Sequence, residues 1–296
     1  MPVSPPPASP GDSMIVPLLF LSVGSASMPA FDALAPRLEA IRASGAESAQ
    51  GSGGNAKALA EKLSSPISSL IRVPMQLDYD GDIGPGDNGE RITLSVQPVV
   101  PIEVDEEWNL ISRTIVPLVY QDDVVGDSDQ SGLGDIVQSV FFSPEAPTSS
   151  GWNWGAGPVF LLPSASDDLL GSEKWGVGPT AVVLKQQSGW TYGALLNHIW
   201  SVAGDDDRAD VNATFLQPFV SRTTATAWTV ALNTESTYDW SADEWSIPAN
   251  LSVSKLIHLG SQPISIGAGI RYWVDSAPNG PEGMGFRLVF TPLFPK

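Results

Sequence analysis

From about Ile67 to the C-terminus, apolar residues recur at every second position, in segments longer than an ordinary soluble sheet uses. Ile71, Val73, Met75, Leu77 and Tyr79 alternate with Arg72, Pro74, Gln76 and Asp78. Ile92, Leu94, Val96, Pro98 and Val100 alternate with Arg91, Thr93, Ser95 and Gln97. The pattern returns at Trp245, Ile247, Ala249, Leu251 and Val253, at Ile264, Ile266, Ala268, Ile270 and Tyr272, and at Phe286, Leu288 and Phe290. A period of two gives each strand one apolar and one polar face. A soluble sandwich alternates in the same way, so length has to separate the two. These segments run about 10–14 residues, where a tilted membrane-spanning strand needs ~9–11 and a soluble strand ~5–6.

About twelve segments can be marked: 69–80, 90–103, 107–121, 133–144, 152–163, 174–186, 189–202, 211–222, 226–239, 244–256, 262–275 and 283–294. Their connections alternate in character. One set is acidic and Gly-rich, at Asp80–Asp87, Asp122–Gly132, Ser164–Glu173, Gly204–Asp210, Ser241–Glu244 and Ser276–Gly283. The other is mostly shorter and less acidic, around Asp105-Glu106, at Pro144–Gly151, Gln187-Ser188, Thr223–Ala225 and Leu259–Ser261. An even strand number with long loops at one end and short turns at the other is the pattern of an outer-membrane barrel. The expected fold is all-β: a transmembrane antiparallel up-and-down barrel of about twelve strands with a short N-terminal helical segment. Trp152, Trp154, Trp175, Trp190, Trp200, Trp228, Trp240, Trp245 and Trp273 lie near segment ends, where interfacial girdles would place them.

Two features resist. Pro98, Pro117, Pro158, Pro179, Pro218, Pro248 and Pro292 fall inside segments. Each removes a ladder donor, which implies bulges or local breaks. The alternation in 133–144 and 189–202 does not assign faces. Trp154-Gly-Ala-Gly-Pro158 and Trp175-Gly-Val-Gly-Pro179 echo one another, and their glycines are expected where the wall bends.

Composition enters as a limit on partners. Only 16% of residues are charged, against ~25% in soluble domains, which suits a surface shown largely to lipid. The net charge of -18 with 15 basic residues excludes a phosphate-binding face for nucleic acid. The absence of cysteine excludes disulfides and thiolate metal sites. Residues 1–30 read as a leader. The apolar run Ile15–Val23 has the length of a signal-peptide core, and small residues follow at Gly24–Ser27 and Met28-Pro-Ala30. Met1–Ser13 carries no Lys or Arg, so either translation begins at Met14 or the export signal is unusual. Residues 31–66 read as linker and short helix: 31–44 could form one, and Asn55 could cap a second over Ala56–Leu63 that stops before Pro66. That second helix is either a plug-like or periplasmic element or a flexible tether. Residues 67–296 are the barrel.

Several phrases then carry a resemblance. They are Gln97-Pro-Val-Val-Pro101, the run Trp108–Pro117, Gly132-Leu-Gly-Asp135, Phe141-Phe-Ser-Pro144, Gly155-Ala-Gly-Pro158 through Pro163, Lys174–Pro179, Asn197–Gly204 and the terminal Leu293-Phe-Pro-Lys296. Over about Asn55–Lys296 the chain resembles the bacterial outer-membrane transporter-like family named for the meta pathway of phenol degradation, some of whose members carry the misleading label neuromedin U. The resemblance implies a barrel in the bacterial outer membrane, reached through the periplasm, that takes up small molecules, hydrophobic or aromatic compounds among them. It supplies no catalytic or binding residues. The ending, Phe294-Pro-Lys296, departs from the aromatic final residue usual in such barrels.

The residues themselves offer little catalysis. Ser201, His198 and Asp205 are the nearest thing to a nucleophile set, at generic spacing, and no enzyme and no cofactor are expected. Asp122-Asp123, Asp127-Ser-Asp129, Asp167-Asp168 and Asp205-Asp-Asp207 could join divalent cations that bridge lipopolysaccharide, or be solvated acidic loops. The expected partners are membrane lipid and lipopolysaccharide, a small-molecule permeant and such cations. Polar-face charges are more informative. An Arg at mid-depth on the lipid side costs ~2–4 kcal/mol, so the strand arginines should point inward. Arg72, Gln76, Arg91, Gln97, Arg113, Asp135, Glu235, Arg271 and Arg287 are the expected lumen-lining set, around a narrow pathway with Arg–carboxylate pairs across it. A channel or transporter for small molecules is the leading function. The alternatives are a structural or adhesive barrel without an open pore, or a soluble exported β-rich binding protein.

Overall fold

The computed structural model describes residues 54–126 and 128–294. The leader, the expected helix over 31–44, Asp127 and the last two residues lie outside the described residues. A helix, α1, spans 54–63, one residue before the expected cap. Twelve antiparallel strands follow: β1 (Ile71–Arg72 and Met75–Ile83), β2 (Gly89–Val96 and Val99–Glu103), β3 (Trp108–Asp122), β4 (Gln130–Leu133 and Ile136–Pro144), β5 (Trp152–Leu162), β6 (Lys174–Gln187), β7 (Trp190–Gly204), β8 (Asn212–Thr223), β9 (Trp228–Thr234 and Ser236–Asp239), β10 (Glu244–Leu259), β11 (Gln262–Asp275) and β12 (Met284–Phe294). Each pairs with its chain neighbours. β12 also pairs with β1, Phe286 opposite Tyr79 and Phe290 opposite Met75, and this closes the sheet. Closure leaves no unpaired edge, the condition for crossing hydrocarbon with strands.

The four split strands break for local reasons. Pro74 and Pro98 lack donors beside one another on the β1–β2 ladder, and Gln97 N–H reaches past to Pro74 C=O at 2.8 Å. In β4 the register against β3 shifts by one residue between the two pieces, a bulge at Gly134-Asp135. β9 breaks at Glu235, between Pro218 on β8 and Pro248 on β10.

The two echoed phrases are neighbours. Pro158 stands directly opposite Pro179 on the β5–β6 ladder. Neither has an N–H, so this is a non-hydrogen-bonded position whose main-chain groups face the outer neighbours β4 and β7. Pairing lapses on both sides there: no partners join β4 and β5 between Ser139/Val159 and Phe142/Ala156, nor β6 and β7 between Asn197/Thr180 and Trp200/Val177. The glycines let the backbones close in. A Cβ on Gly178 would sit 1.6 Å from His198 O, and one on Gly157 would sit 2.0 Å from Val140 O.

Outward-facing residues form an apolar belt that includes Leu77, Leu118, Leu196, Leu232, Leu251, Ile266 and Leu288, all exposed. Aromatic residues bracket it. Trp108, Trp152, Trp154, Trp190, Tyr192 and Trp228 lie at the short-turn end, and Trp175, Trp200, Trp240, Trp245 and Tyr272 at the long-loop end. Trp273 departs from the girdle expectation. It points inward and donates its indole N–H to Asp80 Oδ1 at 2.8 Å, because position 273 shares the inward phase of Arg271.

The turns explain where the acids go. Asp105 Oδ1 accepts the N–H groups of Glu107 and Trp108, Asp167 that of Leu169, Asp205 that of Asp207, and Asp239 those of Ser241 and Ala242. These are Asx-type turns. Asp82, Asp87, Asp123 and Asp243 hold positive φ, which Asp tolerates. The two-residue turn at Ser188-Gly189 has positive φ at both positions, as a type I′ hairpin requires.

Candidate functional site: the barrel lumen

β1, β9, β11 and β12 bring five charges together inside. Arg287 Nε lies 2.6 Å from Asp78 Oδ1, and its Nη2 lies 3.0 Å from Asp78 Oδ2. The same guanidinium reaches across the lumen to Glu235, Nη1 to Oε1 at 2.9 Å and Nη2 to Oε2 at 2.8 Å. Arg271 Nη1 donates to Asp78 Oδ2 at 3.0 Å, and its Nε lies 3.4 Å from Asp80 Oδ1, an ionic contact. Gln76 adds an amide donor to Asp78 Oδ2 at 2.9 Å. Register sets this up: Arg287 stands directly opposite Asp78 on the β12–β1 ladder, so both share the inward phase. These ion pairs tie β9 to β1 and β12 across the interior.

Three other inward arginines have no carboxylate within 4.0 Å among the described residues. Arg72 donates to Leu63 C=O at 2.7 Å, Arg91 to Gln121 Oε1 at 3.0 Å and Arg113 to Gln97 Oε1 at 3.0 Å. A neutral acceptor satisfies one N–H of each and leaves the charge. Five arginines against Asp78, Asp80 and Glu235 make this stretch of lumen electropositive inside a chain of net charge -18.

Asp135 does not join them. It sits at the β4 bulge, and its carboxylate accepts from Ser172 N and Ser172 Oγ at 2.6 Å and from Ala165 N at 3.2 Å. It therefore holds the 163–173 loop instead of facing an arginine. That loop is further clasped to the 205–211 loop through Arg208, which donates to Asp168 C=O at 2.8 Å, and through Lys174 and Asp210, 3.2 Å apart. Hydrogen bonding by Ser201 and the neighbouring Lys174 hold the Asp210 carboxyl below its ordinary range.

The opposite wall is apolar. Val99, Ile111, Phe141, Val182, Leu184 and Leu195 are buried on the inner face, with Phe215 and Phe219 packed against them. The sequence reading missed this wall. Its signal was present as the failed alternation of 133–144 and 189–202, where Phe141 and Leu195 face inward while Phe142 and Leu196 face out.

α1 occupies the short-turn mouth. Ala60 packs with Leu70, Ala227, Leu256 and Leu293, and Ala56, Leu59 and Leu63 lie against the same cluster. Ile67 inserts into the apolar wall. Two lumenal side chains hold the helix by its last carbonyls, Arg72 at Leu63 and Gln186 Nε2 at Glu61 C=O, 2.6 Å. A cation at a helix C-terminus also meets the negative end of the helix dipole. Of the two sequence alternatives, the seated helix is the one observed.

Among the described residues, at least two cavities open inside. The lower, ≈ 280 Å³, has a mixed lining: α1, Arg72, Gln76, Gln97, Gln217 and serine and threonine side chains, with Val99, Leu195, Phe219 and Val289. The upper, ≈ 320 Å³, is bounded mainly by Ile115, Val137, Leu161, Ile199, Val211 and Phe215. Arg113 borders both.

The sequence-level nucleophile set is not assembled. His198 faces outward, its Nδ1 2.7 Å from Thr214 Oγ1 and its ring 4.1 Å from that of Trp200, while Ser201 Oγ donates to Asp210 at 3.0 Å. Among the described residues no three acids or histidines converge as a metal site.

A family profile described as "Putative MetA-pathway of phenol degradation" matches residues 91–290, more than half of the chain. The chain belongs to that family. Among solved structures, an outer membrane channel from Pseudomonas putida F1 aligns with 78% of this family member and 97% of its own length, at 13% identity and a TM-score of 0.61. The barrel architecture is therefore shared. The NanC porin aligns with 76% of the family member and 100% of its own chain at 11% identity and a TM-score of 0.47. Outer membrane phospholipase A from Escherichia coli aligns with 76% and 90% at 8% identity and the same TM-score. No curated protein sequence matches.

Proposed function

We propose that this chain is an outer-membrane channel for small molecules, with compounds that carry apolar groups as its cargo. The observation that carries the reading is the division of the closed barrel: an apolar belt outside, and inside it a charged strip facing an apolar wall with open volume between them. A barrel built only for support gains nothing from buried arginines without carboxylate partners. Long loops then face the outside and short turns the periplasm, so α1 closes the periplasmic mouth. Arg72, Gln76, Arg91, Gln97, Arg113, Glu235, Arg271 and Arg287 serve as the lining, while Asp135 serves the loops. The chain acts without catalysis. Its export across the periplasm, and contact of the acidic loops with lipopolysaccharide and its divalent cations, complete the proposal.

The test is uptake into liposomes of apolar and polar solutes of matched size. Entry through the folded protein, faster for the apolar member, supports the reading. A structural barrel is the second reading, favoured by the seated helix, and it predicts no entry of either.

A further inference from the structure

We propose that the upper chamber with Arg113 at its floor is a binding subsite for small apolar monoanions, single-ring or short-chain carboxylates held head-down on the guanidinium. The proposal rests on the channel reading and names its cargo.

The chamber is ≈ 320 Å³, at the small end of ligand sites, which run ~300–1,000 Å³. Its walls are mainly apolar, Ile115, Val137, Leu161, Ile199, Val211 and Phe215, with Ser139, Asn197 and Thr237 set among them. A sugar acid or phosphate ester carries more polar groups than these three side chains can meet and would strand the rest against the apolar walls. A purely apolar neutral solute would cover Arg113 and leave its N–H groups unpaired, which also costs. One chemistry satisfies both ends: a hydrocarbon body with a single negative group. Among such groups the carboxylate matches the planar fork of an arginine in two parallel hydrogen bonds.

Arg113 is free to serve. Its one hydrogen bond goes to Gln97 Oε1 at 3.0 Å, and among the described residues it makes no ion pair. Glu235 gives both of its oxygens to Arg287. Arg271 and Arg287 are occupied by Asp78, Asp80 and Glu235. Arg72 is turned to the α1 carboxyl end. Arg113 is thus the cation at the junction of the two cavities. Below it the lower cavity, whose mixed lining includes Gln76, Gln97 and Gln217, offers the anion its next set of donors.

The experiment is calorimetric titration of the full chain, folded in detergent, with benzoate, benzyl alcohol and benzylammonium at constant ionic strength. Benzoate is expected to bind at least about tenfold more tightly than benzyl alcohol, and benzylammonium not at all. Arg113→Gln should weaken benzoate by about tenfold or more and leave benzyl alcohol within about twofold. Gln97→Glu keeps the arginine and supplies it with an internal carboxylate, so it should compete benzoate out to a similar degree. This second variant decides the matter if Arg113→Gln does not fold. Equal affinity for benzoate and benzyl alcohol, or unchanged benzoate affinity in the folded variants, overturns the subsite. Because titration needs no conduction, the outcomes separate. Binding without solute entry into liposomes would remove the channel reading and keep the subsite; entry without anion discrimination would do the reverse.

Discussion

At the scale of single residues, burial turns charge into a constraint. Arg287 has a side chain only 5% exposed and satisfies Asp78 and Glu235 together. Breaking a buried pair by removing one partner costs about 3–5 kcal/mol, because the other charge stays behind uncompensated. Arg287→Ala leaves two carboxylates facing one vacancy. It should lower the stability of the folded barrel by that amount in detergent–urea unfolding, while Arg91→Gln, which breaks a hydrogen bond to Gln121 and no ion pair within 4.0 Å, should cost less. The residue types of this network were legible in the sequence, since charges on strand polar faces have to point inward. The partners were not. Trp273 looks like one more interfacial tryptophan until the phase of β11 places it beside Asp80, and Asp135 looks like a lumenal acid until the β4 bulge turns it to the loop.

Among the elements, strands were readable and their irregularities only half so. Alternation with apolar residues outward held wherever the lumen is polar, as in β1, β2, β11 and β12, and segment length with the rhythm of the loops marked out the twelve strands. Alternation failed where the inner wall is apolar too, because a strand with two apolar faces has no period to read. The prolines announced breaks without saying which would matter. Pro74 and Pro98 interrupt β1 and β2 together, whereas Pro158 and Pro179 share a non-hydrogen-bonded pair and displace the defect to the next ladders. The glycines beside them are then required for close approach. Gly178→Val would drive a side chain into His198 C=O and should abolish the heat-modifiable folded form on unboiled gels, while Gly54→Ala, in open space at the start of α1, should leave it intact or nearly so. α1 makes a separate prediction. Deleting residues 54–66, or replacing Arg72 and Gln186 together by Ala, frees the short-turn mouth and should raise single-channel conductance severalfold over the parent barrel. Unchanged conductance would mean that the helix does not sit in the ion path. At the long-loop end, the depressed Asp210 keeps its pair with Lys174 throughout the neutral range. A group with lowered pKa contributes above its unfolded value and loses that contribution as pH falls through its folded one, so loop protection from proteolysis should fade only below the ordinary carboxylate range.

For the whole molecule, the distribution of charge is the main functional statement. The chain is strongly acidic, yet many of its acids lie in turns and loops, while Arg72, Arg91 and Arg113 face the lumen and donate to neutral acceptors. Twelve strands leave an interior between the filled eight-stranded barrel and the open porin, and here that space is shared among a salt-linked strip, an apolar wall, a helix and two cavities. A narrow, selective path follows from that packing. Single-channel recording in planar bilayers, on the full chain and on the chain lacking 54–66, tests this most directly. Discrete small steps with anion preference in the full chain, enlarged when the helix is removed, are the expected result. Silence from both proteins, each shown to be a folded heat-modifiable barrel, would contradict the account.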